Sequence, residues 1–277
     1  MQEKRKYKKE AAFFLICLFA IFCGVFVPFA RVTPAIAPVD SEIPMEEKAV
    51  PDKVEKTKRS LDKPYVPIDT LPDRDITLDV PYFSQEGILP TGCEVTSTAM
   101  VMQYWGVEMD AVTLAEELPC GELRWKEDGL LYGPHPKDLF VGSPFDSSGF
   151  GCFAPVIADL VPTVDKNLHA EVIEGASLEE LYGRYVLREI PILVWCTINM
   201  LETTPGTEWI LPDGSEFKWP RNEHCMVLIG RTEDEYICLD PYDSNGEVHI
   251  ERELLESRYM DMGSQAVLVL PNDWTDQ

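Results

Sequence analysis

The stretch LPTGCEVTSTAMVMQYWG, residues 89–106, decides how the rest of the chain is interpreted. Its small and apolar residues predict a helix from Thr91 to Tyr104, and Gly106 suits the position just past a helix end. Thr91 and Glu94 match the T-x-x-E pattern of a capping box, which predicts Thr91 as the N-cap residue. The stretch therefore predicts a sharply defined helix start.

Cys93 would be the second residue of this helix. A thiol in a first helical turn faces unpaired backbone N–H groups and the positive end of the helix dipole. Both favour a thiolate, so we expect a pKa for Cys93 below that of a free cysteine. Gly92 would let a substrate or another backbone approach closely. The pattern suits a nucleophile, and it also suits a cysteine that only packs at a helix start.

His224 is the histidine best placed to serve Cys93 as a base. It opens a predicted strand over residues 224–229, and Asp240 closes the next predicted strand. A hairpin centred near Thr232 would place His224 and Asp240 directly opposite, within reach of a hydrogen bond. Nucleophile, base and orienting carboxylate are the parts of a catalytic triad. A strand-end salt bridge without catalysis is the alternative.

Gln85 is the candidate for a second oxyanion donor. It lies eight positions before Cys93, close to the start of the predicted helix. A glutamine amide beside a helix N-terminus can join the backbone N–H of Cys93 in stabilising an oxyanion. The other three histidines lie in a loop or among charged residues, and we expect them on the surface: His135, His169 and His249.

The domain as a whole has a helical first half and a second half rich in strands. A long irregular loop is expected between Pro119 and Gly151, where Gly, Pro, Ser and Asp are dense. Helices are predicted over 110–118 (capped by Asp110), 153–161, 178–188 (capped by Ser177) and 250–259. Strands are predicted over 76–83, 191–198, 225–229, 236–239 and 265–270, with a hairpin over 208–219. This order predicts an α+β fold.

The N-terminal quarter predicts a route to the cell surface. Residues 1–10 are basic, and residues 11–30 form an uncharged apolar run long enough to cross a bilayer. Residues 31–75 are rich in proline and charge and are expected to act as a linker to the domain at 76–277. Basic residues on the N-terminal flank predict a single-pass anchor with the domain outside. A cleaved signal peptide is the alternative.

Charge and cysteine usage exclude two classes of function. The 277 residues include 24 Lys and Arg and 48 Asp and Glu, a net charge of −24. A surface this acidic repels phosphate backbones, so we expect no nucleic-acid partner. The six cysteines beyond the apolar run lack C-x-x-C spacing, which argues against a zinc site. Cys120 and Cys152 flank the irregular loop and could form a disulfide in an exported protein.

Taken together, these motifs resemble a papain-like cysteine peptidase of the family 39-like group, which is related to the bacteriocin-processing peptidases. The resemblance rests on VPYFSQ (80–85), LPTGCEVTSTAM (89–100), EHCMVLIG (223–230), LDPY (239–242) and MGSQAV (262–267). It implies a papain-like fold in which an N-terminal helical subdomain carrying Cys93 packs on a C-terminal antiparallel sheet carrying His224 and Asp240.

The resemblance implies a thiol-dependent hydrolase that cleaves an amide bond in a peptide or protein, and the N-terminal segment predicts that it acts outside the cytoplasm. Cys93, His224 and Asp240 would be catalytic, Gln85 would complete the oxyanion hole, and no metal or organic cofactor would be needed. The same residues would serve a transamidase or another acyl transferase. A non-catalytic surface module with this fold, binding a wall component or a peptide, is the other alternative.

Overall fold

The computed structural model describes residues 74–242 and 246–274. The predicted basic segment, apolar run and most of the linker lie outside these ranges. Five α-helices lie within them: α1 (Cys93–Tyr104), α2 (Ala111–Glu117), α3 (Ala154–Val164), α4 (Leu178–Arg184) and α5 (Arg252–Asp261). None of these helices is both long and apolar enough to cross a membrane.

A six-stranded antiparallel sheet forms the body of the domain, in the order β11-β10-β9-β6-β12-β5. Its strands are β5 (Leu168–Glu174), β6 (Ile192–Thr197), β9 (Glu223–Arg231), β10 (Glu235–Leu239), β11 (Glu247–Glu251) and β12 (Gln265–Pro271). All residues of β6 are buried, so helices cover both faces of the centre of the sheet. The predicted α+β fold is confirmed.

Two smaller sheets lie in and beside the segment that was expected to be irregular. One pairs β1 (Cys120–Gly121) with β4 (Phe140–Val141). The other has four strands in the order β2-β3-β7-β8: β2 (Arg124–Trp125), β3 (Leu131–Tyr132), β7 (Pro205–Ile210) and β8 (Glu216–Pro220). β7 and β8 form the predicted hairpin, and the remainder of 119–151 is largely irregular, as its composition predicts.

The predicted start of α1 is wrong and its predicted end is right. Gly92 is the N-cap residue and no side chain caps the helix. The Thr91 hydroxyl instead donates to the backbone carbonyls of Ser143 and Asp146, so it fixes a neighbouring loop. At the other end Gly106, with φ +84°, closes a Schellman motif, in which its own N–H and that of the next residue bond back to the last turn.

The caps predicted for two other helices are confirmed. The Asp110 carboxylate accepts from the Thr113 backbone N–H at 2.9 Å at the start of α2. Ser177 and Glu180 form a reciprocal capping box at the start of α4. The helix predicted over 178–188 is interrupted, because α4 ends at Arg184 and a separate 3₁₀ turn follows.

The predicted strands differ from the structure at one predicted strand and at two strands that were missed. Residues 76–83 are extended, but only one bridge, between Thr77 and Gly230, attaches them to the main sheet, so they form no strand. β5 and β11 were not predicted. Because β11 takes up residues 247–251, the helix predicted from Ile250 begins at Arg252.

Packing on the main sheet positions the start of α1. This helix lies against β9 and β6, while α3 covers β5 and β12 and α5 packs on β6. All residues of α1 except Gln103 are buried, so the polar side chains of this helix are surrounded by protein on every side. The Ser97 hydroxyl donates to the Cys225 carbonyl at 3.1 Å, which ties the second turn of α1 to β9. The helix start carrying Cys93 is therefore fixed beside the strand carrying His224.

Candidate active site

Cys93 is the first residue of α1 and is almost fully enclosed, with 6% of its surface exposed. Its Sγ donates to Oε2 of Glu94 at 3.3 Å. The main chain of Cys225, the residue after His224, also lies within hydrogen-bonding reach of the sulphur. Among the contacts of the described residues, no hydrogen bond joins the sulphur to the His224 ring. The thiol therefore sits between α1 and β9 and points towards Glu94.

This environment reverses the expected direction of the Cys93 pKa. Burial raises the pKa of the thiol well above its ordinary value, and the neighbouring carboxyls of Glu94 and Glu223 raise it further. A helix N-terminus favours a thiolate only by a modest amount. Loss of water around a charged sulphur, together with nearby negative charge, outweighs that effect. The expectation of a lowered pKa is therefore wrong for this arrangement of the thiol.

Gly92 does not provide the open approach that its position suggested. A Cβ at Gly92 would lie 2.8 Å from the Cβ of Leu89. The backbone before Cys93 is therefore packed tightly against the preceding turn. The glycine is needed for this packing, since a side chain there would displace the loop that leads into α1.

His224 and Asp240 form a buried pair near one end of the main sheet. His224 Nε2 lies 2.7 Å from Oδ1 of Asp240, and the two residues are only 2% and 7% exposed. The same Oδ1 accepts from the Tyr242 backbone N–H at 2.9 Å. The carboxylate therefore fixes one ring nitrogen of His224 and leaves Nδ1 for another partner.

The predicted hairpin register that led to this pair is wrong. β9 and β10 pair Leu239 with Val227, and continuing that register by one residue sets Asp240 opposite Met226. His224 is two residues further along β9, so it is a diagonal neighbour of Asp240. A diagonal neighbour on the same face remains within reach of a long side chain. The contact is present although the proposed direct opposition is not.

Gln85 lies in the same corner of the molecule and is 3% exposed. Its backbone N–H donates to the Pro241 carbonyl at 2.8 Å, next to Asp240. Its Nε2 donates to the carbonyls of Leu89 and Pro90 at 3.2 and 3.4 Å, and its buried Oε1 has no hydrogen-bond partner within the described part of the chain. Gln85 thus links the loop before Cys93 to the chain that follows β10.

Two acidic residues of the site were missed in the sequence. Glu94 is fully buried, and its Oε1 accepts from the Cys152 backbone N–H at 2.6 Å. Ligand-type atoms of Cys93, Glu94 and Glu223 all lie within 4.8 Å of one another, the one such group among the described residues. The available signal was their position, since each glutamate is next in sequence to a candidate catalytic residue.

The remaining cysteines and histidines lie outside this arrangement. All six cysteines of the described part of the chain are free thiols, so Cys120 and Cys152 are not joined there. Cys120 is exposed and Cys152 is buried. Each of the other histidines has partners of its own: His135 packs on Phe217, His169 contacts Asn272, and His249 pairs with Glu235 and Glu247.

The comparisons with known proteins concern the family and the fold of the chain. Residues 77–267 match the model of the "Peptidase_C39 like family". The chain is 30% identical over 195 residues to "Uncharacterized protein YvpB" of Bacillus subtilis (strain 168), an alignment that covers 69% of this chain and 75% of the relative.

A solved structure of a putative C39-like peptidase from Bacillus anthracis superimposes with a TM-score of 0.63 at 31% identity. The match covers 72% of this chain and 99% of that one. The matched region includes Gln85, Cys93, His224 and Asp240. The chain therefore belongs to the Peptidase_C39 like family and is a cysteine peptidase with a papain-like fold.

Proposed function

We propose that the protein hydrolyses an amide bond in a peptide or protein, with Cys93 as nucleophile, His224 as general base and acid, and Asp240 as the residue that orients His224. The observation that carries this proposal is the 2.7 Å contact between His224 Nε2 and Asp240 Oδ1 at a buried site. It holds the imidazole so that Nδ1 is the nitrogen available to a thiol.

The reaction begins when the Cys93 side chain turns from Glu94 towards His224. Nδ1 takes the thiol proton, and the sulphur attacks the carbonyl carbon of the substrate. The C–N bond breaks as His224 returns the proton to the leaving amine, which leaves a thioester on Cys93. A water molecule, deprotonated by His224, then attacks the thioester and releases the acid.

The oxyanion formed in each step needs hydrogen-bond donors. The backbone N–H of Cys93 is one, because the first N–H groups of a helix have no partner within the helix. Gln85 is the proposed second donor, supported by its place next to the loop before Cys93; its Nε2, which donates to the Leu89 and Pro90 carbonyls, would have to turn from them to the oxyanion. Removing one oxyanion donor typically slows an acyl transfer by about 100- to 1000-fold.

A location outside the cytoplasm forms part of the proposal and rests on sequence alone. The basic residues 1–10 followed by the uncharged apolar run 11–30 support insertion with the catalytic domain outside. The linker over residues 31–75 would hold the domain away from the bilayer. Peptides or proteins at the cell surface would then be the substrates.

Product analysis tests the proposed reaction. The full chain is incubated with a peptide mixture, with and without an added primary amine, and the products are identified by mass spectrometry. New free carboxyl termini support hydrolysis if they require Cys93 and still form when the primary amine is present. Products joined to the amine would point to the acyl transferase. If the folded wild-type protein binds the peptides but leaves them uncleaved, it is a binding module.

The matched control is Cys120→Ala, because Cys120 is the exposed thiol of the described residues and lies outside the site. It should leave turnover unchanged, while Cys93→Ala should abolish it. Equal turnover in both variants would contradict the assignment of Cys93.

A further inference from the structure

We infer that Glu94 and Glu223 form a buried acid pair that holds one proton between the two carboxyls and positions the Cys93 thiol. The pair is adjacent to the proposed nucleophile but takes no part in the triad described above. The role of the pair in catalysis rests on the proposed function, whereas its effect on the orientation and ionisation of the Cys93 thiol does not.

Glu94 holds two groups from different parts of the chain. Its Oε1 accepts from the Cys152 backbone N–H at 2.6 Å, and its Oε2 accepts from the Cys93 thiol at 3.3 Å. The residue is fully buried in α1. A carboxylate held by a backbone donor is a fixed acceptor, so the thiol that bonds to it has a defined direction.

Glu223 brings a second carboxyl to the same place. A Cβ on Gly151 would lie 2.7 Å from Glu223 Oε2 and 2.8 Å from Glu94 Oε1, so both carboxyls converge on that glycine. The Glu223 residue is only partly buried, but its Oε1 is enclosed and has no hydrogen-bond partner among the described residues. The indole of Trp195 also faces this carboxyl. Two carboxylates this close do not both stay ionised.

The surroundings favour a single proton on this pair. Burial raises the pKa of both glutamates, and the negative charge of Glu94 raises that of Glu223 further. Hydrogen bonds from the Cys152 backbone and the Cys93 thiol lower the pKa of Glu94, as does the neighbouring His224 ring whenever it carries a proton. The titratable groups that face the pair from the packed elements are Cys93 on α1, Cys120 on β1, Cys152 before α3, Cys196 on β6, and His224 and Cys225 on β9.

The balance places the proton on Glu223 and the negative charge on Glu94. The charge on Glu94 accepts the S–H group and opposes its ionisation, so the pair keeps Cys93 as a neutral thiol turned away from His224. Glu94 is therefore a positioning residue for the nucleophile. Glu94 fixes the starting orientation of the thiol, which must turn away from Glu94 and towards His224 before it reacts.

The direct test is the pH dependence of Cys93 alkylation in the full chain, followed on the peptide containing Cys93 by mass spectrometry. Glu94→Gln keeps an acceptor for the Cys152 N–H and presents an amide donor to the sulphur. It should lower the apparent pKa of Cys93, and each unit of lowering makes alkylation at neutral pH about threefold faster, because a roughly tenfold larger thiolate fraction is partly offset by lower nucleophilicity. Glu94→Gln/Glu223→Gln should lower that pKa at least as far.

The matched control is Glu86→Gln, which removes an exposed acidic residue from the loop before α1 and should not change the profile. Glu223→Gln alone should change the profile less than Glu94→Gln, because it replaces a group that is already neutral. A double variant with the wild-type pH dependence would overturn the inference. Alkylation requires no peptide hydrolysis, so this result is separate from failure of the proposed function.

A second measurement starts from the wild-type protein, in which folding is not in question. Infrared difference spectroscopy should detect a protonated, buried carboxylic acid at neutral pH, and Glu223→Gln should remove that band. Absence of the band in the wild-type protein would contradict a shared proton, whatever the activity of the enzyme.

Discussion

His224 and Asp240 share a face of the main sheet because of a register shift between Ile237 and Cys238. Before the shift Ile237 pairs with Gly230, and after it Cys238 pairs with Leu228. Without the shift, Asp240 would lie opposite residue 227 and point to the other face from His224. The extra residue in β9, Ile229, therefore makes the 2.7 Å contact possible.

Asp240 variants should show a graded loss of turnover. Asp240→Asn keeps the shape and an oxygen acceptor for the His224 ring, so a measurable fraction of activity should remain. Asp240→Ala removes the acceptor and should fall well below Asp240→Asn. Initial rates across pH, with circular dichroism as a check of folding, provide the measurement. A folded Asp240→Ala with wild-type rates would leave only a Cys93–His224 dyad.

Gly230→Ala should destabilise the domain by about 1–3 kcal/mol, because the added methyl group meets backbone that has little freedom to move. A Cβ there would lie 2.3 Å from the Ile76 carbonyl oxygen and 2.9 Å from the Thr77 Cα. Denaturant unfolding gives the change in the free energy of unfolding. An alanine that costs nothing would show that residues 76–77 are not held against β9.

The control for this substitution is Gly183→Ala. Gly183 lies within α4, and a Cβ there would have no atom within 4 Å. Alanine inside a helix should therefore stabilise the protein by about 0.5–1 kcal/mol. The two glycine variants should move the unfolding midpoint in opposite directions.

Glu223 should contribute a loss of stability as pH rises above 4.5, the ordinary pKa of glutamate, because its pKa is raised in the folded protein. The folded state holds a proton on this residue that the unfolded chain releases, so raising the pH favours unfolding. Glu223→Gln carries no such proton, so its stability relative to wild type should increase with pH. Urea unfolding from acid to neutral pH measures the difference, and a constant difference would contradict a raised pKa.

The proposed tether predicts that the protein is found with membranes. The apolar run over residues 11–30 should place it in the membrane fraction of cells, and external protease should release a soluble fragment of about 200 residues, the size of one ordinary domain. Immunoblotting of the fractions, with a cytoplasmic enzyme as control, provides the measurement. A mature N-terminus at Pro38 or later would contradict the anchor while leaving export in place.

Much of the fold could be predicted because local patterns and tertiary contacts agree. Short local sequence signals were enough for three features: the end of α1 at Gly106, the Ser177 capping box, and the apolar run that forms β6. β5 was missed because it is an edge strand with exposed polar residues, and such strands carry a weak hydrophobic pattern.

The site was harder to predict where a residue had two possible partners. Glu94 fits a capping box in the sequence, but it turns inward to Cys152 and Cys93 because α1 is buried on every side. The register shift beside Ile237 was not predicted, although a glycine within a strand, here Gly230, can signal a bulge, so direct opposition of His224 and Asp240 was expected in its place. Local rules cannot choose between partners that only tertiary packing brings together.

The measurement that tests the central claim most directly is the mass of the protein quenched in acid during turnover of a peptide substrate. A thioester should add the mass of the acyl fragment to the wild-type protein, and digestion should locate it on Cys93. His224→Ala should form little of this adduct, and Cys93→Ala should form none. Turnover by Cys93→Ala, or an acyl group found on another residue, would contradict Cys93 as the nucleophile.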